Sequence, residues 1–149
     1  MKISIRQLTG FGLLALTQGA LAQDDSGPSP FEIESERVAR AEYRASLDDA
    51  MLREGRDTYW AAEIEHRIES SLHAVSDLDI LTWEFGCATT LCRVVLDHRT
   101  LSGQQEAMEA LAGMPGFSFP GRADLEWRDD GSATTYIYLH RPQPEDSDV

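Results

Sequence analysis

The chain carries two cysteines, Cys87 and Cys92, and each lies at the end of a run in which apolar side chains alternate with polar ones. Before the first, Leu81, Trp83 and Phe85 alternate with Thr82 and Glu84; after the second, Val94 and Leu96 alternate with Arg93, Val95 and Asp97. A period of two predicts strands. The parity is the stronger constraint. In an antiparallel hairpin, Leu81, Trp83, Phe85 and Cys87 share one face with Cys92, Val94 and Leu96, so the two sulfurs already face each other when the backbone pairs in register. A disulfide is the expected state of this pair, and closing so short a loop contributes about 2 kcal/mol on the chain-entropy model. The spacing is not the two-residue gap of thioredoxin-like redox motifs, and two sulfurs do not make a tetrahedral zinc site.

The rest of the chain is read from period and punctuation. From about Glu32 to Glu54 the residues favour helix. Val38, Ala41, Ala45 and Leu52 form a thin stripe, Glu36 to Arg40 and Asp49 to Arg53 add pairs four apart, and Gly55 ends the segment. Asp57 or Thr58 can cap a second helix in which Trp60, Ile64, Ile68 and Leu72 repeat every four residues, a face made for packing. Ser102 with Gln105 three residues on reads as a capping box for a short third helix, with Met108 and Leu111 inward and Gly113 as its stop. Ala123, Leu125 and Trp127 then alternate, Asp130-Gly131 turns the chain, and Ala133, Thr135, Ile137 and Leu139 alternate again as a second hairpin. The order α-α-β-β-α-β-β with short connections predicts an α+β, two-layer fold, the helices packed on one face of a four-stranded antiparallel sheet.

The ends of the chain concern destination rather than fold. Lys2 and Arg6, the apolar run Phe11 to Leu16 and Ala20-Leu21-Ala22 follow the order of a signal peptide over residues 1–22, with cleavage expected after Ala22. Gly10, Gly12 and Gly19 interrupt that run well short of the roughly 20 apolar residues of a membrane span. A flexible leader is expected over 23–30, a single domain over 31–141 and a disordered acidic tail over 142–149. Removing residues 1–22 from the 149 leaves 127, in which 26 acidic side chains face eleven arginines and no lysine, a formal charge of −15. That charge makes nucleic acid and anionic membrane surfaces poor partners, so no nucleic acid and no membrane insertion after cleavage are expected; it can steer a basic protein or peptide partner, or simply keep an exported protein soluble. A periplasmic or secreted location follows from the signal and suits the disulfide.

Candidate sites come from the two sheet faces and from α2. With the helices over Trp83, Val94, Trp127 and Ile137, the opposite face would show Thr82, Glu84, Arg93, Val95, Arg128, Tyr136, Tyr138 and His140, a mixture of tyrosine and arginine suited to binding hot spots. Arg93, Val95, Arg128, Tyr136, Tyr138 and His140 are taken as its binding residues. His66, Glu69 and His73 fall at i, i+3 and i+7 of the second helix; imidazole and carboxylate can hold zinc or copper, but no fourth ligand is identified, so no metal is assigned. Asp48, Asp49, Glu63 and Glu65 invite a paired-carboxylate hydrolase, which needs a positioned pair across a cleft. There is no G-x-S-x-G, S-x-x-K or H-E-x-x-H and no phosphate-cradling glycine loop, so no cofactor and no catalytic residue are assigned.

The run Trp83-Glu84-Phe85-Gly86-Cys87-Ala88-Thr89-Thr90-Leu91-Cys92-Arg93-Val94-Val95 resembles a hairpin of small exported proteobacterial proteins of uncharacterised function, in which C-x4-C is followed by Arg and a β-branched residue. Trp60 and Glu63 fit the helix that precedes it there. The resemblance covers Trp60 to His98 and brings no activity. In architecture the hairpin is also similar to that of the periplasmic inhibitors of vertebrate-type lysozyme, whose C-x4-C loop presents an inhibitory histidine; here the loop is Ala88-Thr89-Thr90-Leu91 and has none. The expectation from sequence is an exported, disulfide-stapled, non-catalytic binding or accessory module of the periplasm, in its sharper version an acidic inhibitor or immunity-type protein. The alternative is a periplasmic hydrolase whose site is assembled from distant loops.

Overall fold

A computed structural model describes residues 27–143 of the chain. The expected signal peptide, residues 23–26 of the expected leader and residues 144–149 of the tail lie outside the described residues. The elements are α1 (Pro30–Glu54), α2 (Thr58–Ala74), β1 (Ile80–Cys87), β2 (Leu91–His98), α3 (Leu101–Ala112), a 3-10 turn at Pro115–Phe117, β3 (Gly121–Trp127) and β4 (Ala133–His140). The four strands form one antiparallel sheet in the order β1-β2-β4-β3, so the α+β class and the order of elements are as expected. No helix among the described residues is long and apolar enough to cross a membrane.

The core lies on one face of the sheet. Trp60, Ala61, Ile64, Ile68 and Leu72 of α2 and Leu111 of α3 pack against Cys92, Val94, Leu96, Ile137 and Leu139. Burying each large aliphatic side chain is worth roughly 1.5–3 kcal/mol, which makes this layer the main source of stability. Cys87 is the register partner of Cys92 and the two are joined as a disulfide. The hairpin departs from the expected alternation at one place. The register slips between Ile80 and Thr82, so Ile80 packs against the core while Leu81, expected inward, is turned out and 48% exposed. A bulge moves one residue to the other face, and periodicity alone does not reveal it.

Helix ends follow capping chemistry more closely than the apolar pattern. Ser29 caps α1 and exchanges hydrogen bonds with Glu32, with Pro30 in the first turn, so the helix starts inside the segment expected to be leader. Asp57 rather than Thr58 caps α2, accepting from the backbone N–H groups of Tyr59 and Trp60. Thr100, not Ser102, caps α3: its hydroxyl donates to Asp79 and accepts from the Gly103 N–H, which starts the helix ahead of the residue expected to cap it. Gly131 supplies the positive φ of 84° in the β3–β4 turn.

α1 corrects the expectation that all helices share one face. It lies across the opposite side of the sheet, although none of its residues is buried. Its attachment is polar. Arg44 donates to Asp124 at 2.7 Å and Glu126 at 2.9 Å on β3 and lies over the ring of Tyr136 on β4, while Asp48 accepts from the hydroxyl of Tyr138 at 2.9 Å. The thin stripe Val38, Ala41, Ala45 and Leu52 stays exposed, while Arg44, Leu47, Asp48, Ala50 and Met51 are half-buried.

One polar group sits deep in the core layer. His98 is fully buried; its Nε2 lies 3.3 Å from the Thr135 hydroxyl, which is itself reached by the Gln104 amide, and its Nδ1 has no hydrogen-bond partner. Burial holds the imidazole below its ordinary value of 6.5, against the opposing pull of Asp79 and Asp97. Because the unfolded chain takes up this proton more readily than the folded one, stability is full above about pH 6.5 and declines as the pH falls below it. Thermal melts should show a melting temperature that is level from pH 8 to pH 7 and falls between about pH 6.5 and 5. His98→Gln should flatten that segment and leave the acid transition below about pH 4, where the carboxylates titrate.

Candidate functional site

The C-terminal end of α1 and the tip of the disulfide hairpin are tied together by hydrogen bonds that the sequence prepares locally. Gly55, at a φ of 75°, ends α1 and lets Arg56 turn back toward α2. The Arg56 guanidinium grips both oxygens of Glu65 at 2.5 and 2.6 Å and donates to the carbonyl of Cys87 at 3.1 Å. Glu65 also accepts the Cys87 N–H at 2.9 Å, so one ion pair holds both backbone groups of a disulfide cysteine. The hydrogen bonds from Arg56 are the main cause that keeps Glu65 below the usual carboxylate range. Beside it, the carboxylate of Glu54 takes the backbone N–H and hydroxyl of Thr90 at 2.9 and 2.6 Å. Burial works to raise the Glu54 carboxyl, and the hydrogen bonds from Thr90 outweigh it, leaving the group below its ordinary value. Arg141 closes the outer side, donating to Asp57 and to the Thr89 carbonyl.

Between these ties lies an open cleft of about 520 Å³ lined by Asp48, Met51 and Leu52 of α1, Gly55 and Arg56 of the turn, Gly86, Cys87 and Ala88 of the hairpin, and Arg93 of β2. Most of its wall is apolar. Leu52 stands at its rim, 83% exposed. Arg93 has its Nε buried 3.2 Å from an Asp48 oxygen, an ion-pair distance in a geometry that makes no hydrogen bond, and its Nη1 donates to Glu84 at 3.3 Å. The two guanidinium groups of the cleft are thus matched by three carboxylates, Glu65 on Arg56 and Asp48 and Glu84 on Arg93, while Glu54 is taken up by Thr90. The lining has no hydroxyl, imidazole or free thiol; its one carboxylate, Asp48, faces Arg93.

The six binding residues expected from sequence do not form one open surface. Val95 and Tyr138 are buried under α1, Arg93 and Tyr136 are half-buried there, and Arg128 and His140 are exposed at opposite ends of the sheet. The reason is the polar docking of α1, which covers the face that the apolar pattern leaves open. Tyr138 feels this most: burial and the adjacent Asp48 push its hydroxyl up to about 12. Arg128 serves the β3–β4 turn, bonding to Asp97, Ser132 and Thr134. Among the described residues no three His, Cys, Asp or Glu side chains are placed to hold a metal ion, and His73 packs edge-on against Trp83 at 5.6 Å between ring centres. Asp48 and Glu65 each face an arginine rather than a second carboxylate, which removes the paired-acid arrangement.

Of the cleft residues, Arg93 is a binding candidate from sequence, Asp48 is read there for another chemistry and Leu52 as part of the apolar stripe of α1; Met51 and Arg56 are not among the sequence candidates. The available signal was an unsupported leucine in the last turn of α1 followed by Gly55-Arg56, a helix end that presents an apolar and a cationic side chain together. Comparison with protein-family models, with curated proteins and with solved structures finds no match to this chain.

Asp48 joins α1 to the sheet through two partners, so its removal leaves the Tyr138 hydroxyl without its acceptor and Arg93 with Glu84 alone. Asp48→Ala should cost about 2 kcal/mol in urea unfolding, and Tyr138→Phe, which removes one donor and leaves the ion pair, about 1 kcal/mol. Equal costs below about 0.5 kcal/mol for both would contradict this geometry.

Proposed function

We propose that this protein is an exported, non-catalytic binding module that holds an apolar and basic segment of a protein partner in the cleft between α1 and the disulfide hairpin. The observation that carries this reading is the cleft itself: an apolar wall with the exposed Leu52 at its rim, whose two arginines, Arg56 and Arg93, are each paired with carboxylates. A volume of about 520 Å³ falls within the range of ligand sites and suits one or two side chains of a docking segment. Aliphatic anchors surrounded by charge are the usual arrangement of an interface centre and its rim.

The charge distribution supports a basic partner. Among the described residues, Arg53, Arg99 and Arg122 are the arginines without a carboxylate within ion-pair distance; each of the others has one. The 26 acidic against 13 basic side chains of the chain speed the encounter with a positive protein and slow it with a negative one. An inhibitor or immunity-type protein directed at a basic toxin or hydrolase is the sharper form of this reading, and export to the periplasm is the setting it requires.

The test uses synthetic peptides that alternate leucine with arginine, or leucine with glutamate, titrated by fluorescence anisotropy. The basic peptide should bind, with an affinity that falls as salt rises, and Leu52→Arg should weaken it at least about tenfold without changing the melting temperature, since the side chain is exposed. Preference for the acidic peptide, or binding unchanged by Leu52→Arg, would overturn the proposal.

A further inference from the structure

The sheet has two edges, β1 and β3, and they are built differently. β1 is blunted by the bulge at Leu81, and Glu84 is its single charge before Gly86. β3 keeps an unbroken register with β4 from Gly121↔Leu139 to Trp127↔Ala133, contains no proline, and pairs with no strand along its outer side among the described residues. Its core-side face is also incompletely covered, because α3 and the 3-10 turn stop short of it: Ala123 is exposed, Leu125 half-buried and Trp127 52% exposed. A straight, regular edge with uncovered apolar side chains is a template for a further strand.

The order of charges along β3 says which strand fits. Toward α1 the strand shows Arg122, Asp124 and Glu126, and toward the core Gly121, Ala123, Leu125 and Trp127. Antiparallel pairing of this strand with itself about Asp124 sets Arg122 opposite the partner's Glu126, and Glu126 opposite the partner's Arg122. On the other face it sets Leu125 against the partner's Ala123 and Trp127 over the partner's Gly121, where an aromatic ring covers backbone that glycine leaves bare. Asp124, which meets its own copy at the centre, is already held by Arg44 at 2.7 Å and approached by Arg40 at 4.0 Å, so its charge is offset before the strands meet. Arg122 has no carboxylate of its own; its guanidinium lies 4.6 Å from the centre of the Tyr43 ring. At the Trp127 end, Ile33 and Arg37 of α1 wall a notch of about 220 Å³ with Leu125, Glu126 and Trp127, and that is the end at which the partner's Gly121 arrives.

We propose that the protein forms a two-fold symmetric dimer through β3, joining two four-stranded sheets into one of eight strands. The contact is isologous, each half supplying the same strand and receiving the same two cross-strand ion pairs.

Sedimentation equilibrium of the mature protein and of its charge variants tests this. The wild type should dimerise at about 100 µM, a concentration that populates even weak specific contacts. Arg122→Glu places Glu opposite Glu, Glu126→Arg places Arg opposite Arg, and each should weaken self-association at least about tenfold. Mixed together, the two variants face each other with opposite charges, so the mixture should recover dimer that neither forms alone. Should Glu126→Arg fail to fold, Arg122→Ala beside Arg122→Glu gives a graded series, the first weaker than wild type and the second weaker still. A monomeric wild type, or a dimer indifferent to these substitutions, would overturn the proposal.

Discussion

The salt bridge of Arg44 to Asp124 and Glu126 is the interaction on which the upper half of this molecule depends. The core beneath the sheet forms by ordinary hydrophobic burial and needs no help from α1. Above the sheet that drive is smaller: no side chain of α1 is fully buried, although Leu47 and Met51 are half-buried and Val95 and Tyr138 lie beneath the helix. What holds a helix of 25 residues there is a diagonal line of polar contacts: Arg44 on β3 and β4, Asp48 on β2 and β4, Glu54 at the hairpin turn. Arg44 and Asp124 are both well shielded, with 16% and 8% of their side chains exposed, so their attraction is less damped by solvent than that of a surface pair.

Two consequences follow from that line. It roofs Tyr138 and Val95, turning a face that would have been an open platform into an internal layer, and it brings Met51 and Leu52 to the disulfide hairpin, where the cleft forms. The hairpin side of the cleft is fixed independently. The disulfide pins the register of β1 and β2 at their ends, and the Arg56–Glu65 pair anchors the Cys87 backbone to α2. The cleft thus has one rigid wall on the core and one wall attached by charge.

The core side of the fold was legible in the sequence because it obeys the period of its elements. The four-residue repeat of Trp60, Ile64, Ile68 and Leu72 and the shared parity of Cys87 and Cys92 point to the packing that the structure has. Leu81 escaped because a bulge changes parity without changing composition. α1 escaped for a deeper reason: Arg44 and Asp48 sit among its half-buried residues beside Leu47 and Met51, and apolar periodicity reads so mixed a side as solvent. Its apolar stripe faces outward, so the same rule points the helix the wrong way. The expected Tyr and Arg platform failed with it, and the cleft, which needs α1 in place, could not be read at all. What remained visible was Arg93, whose position after Cys92 puts it at the cleft by strand geometry alone.

A double-mutant cycle on Arg44 and Asp124 measures the central interaction directly. Arg44→Ala, Asp124→Ala and the double variant, unfolded in urea at low salt, should give a coupling energy of about 1 kcal/mol or more that shrinks when salt is added. A coupling indistinguishable from zero would mean that α1 is not held on the sheet by this pair, and the covered tyrosines and the cleft would lose their basis.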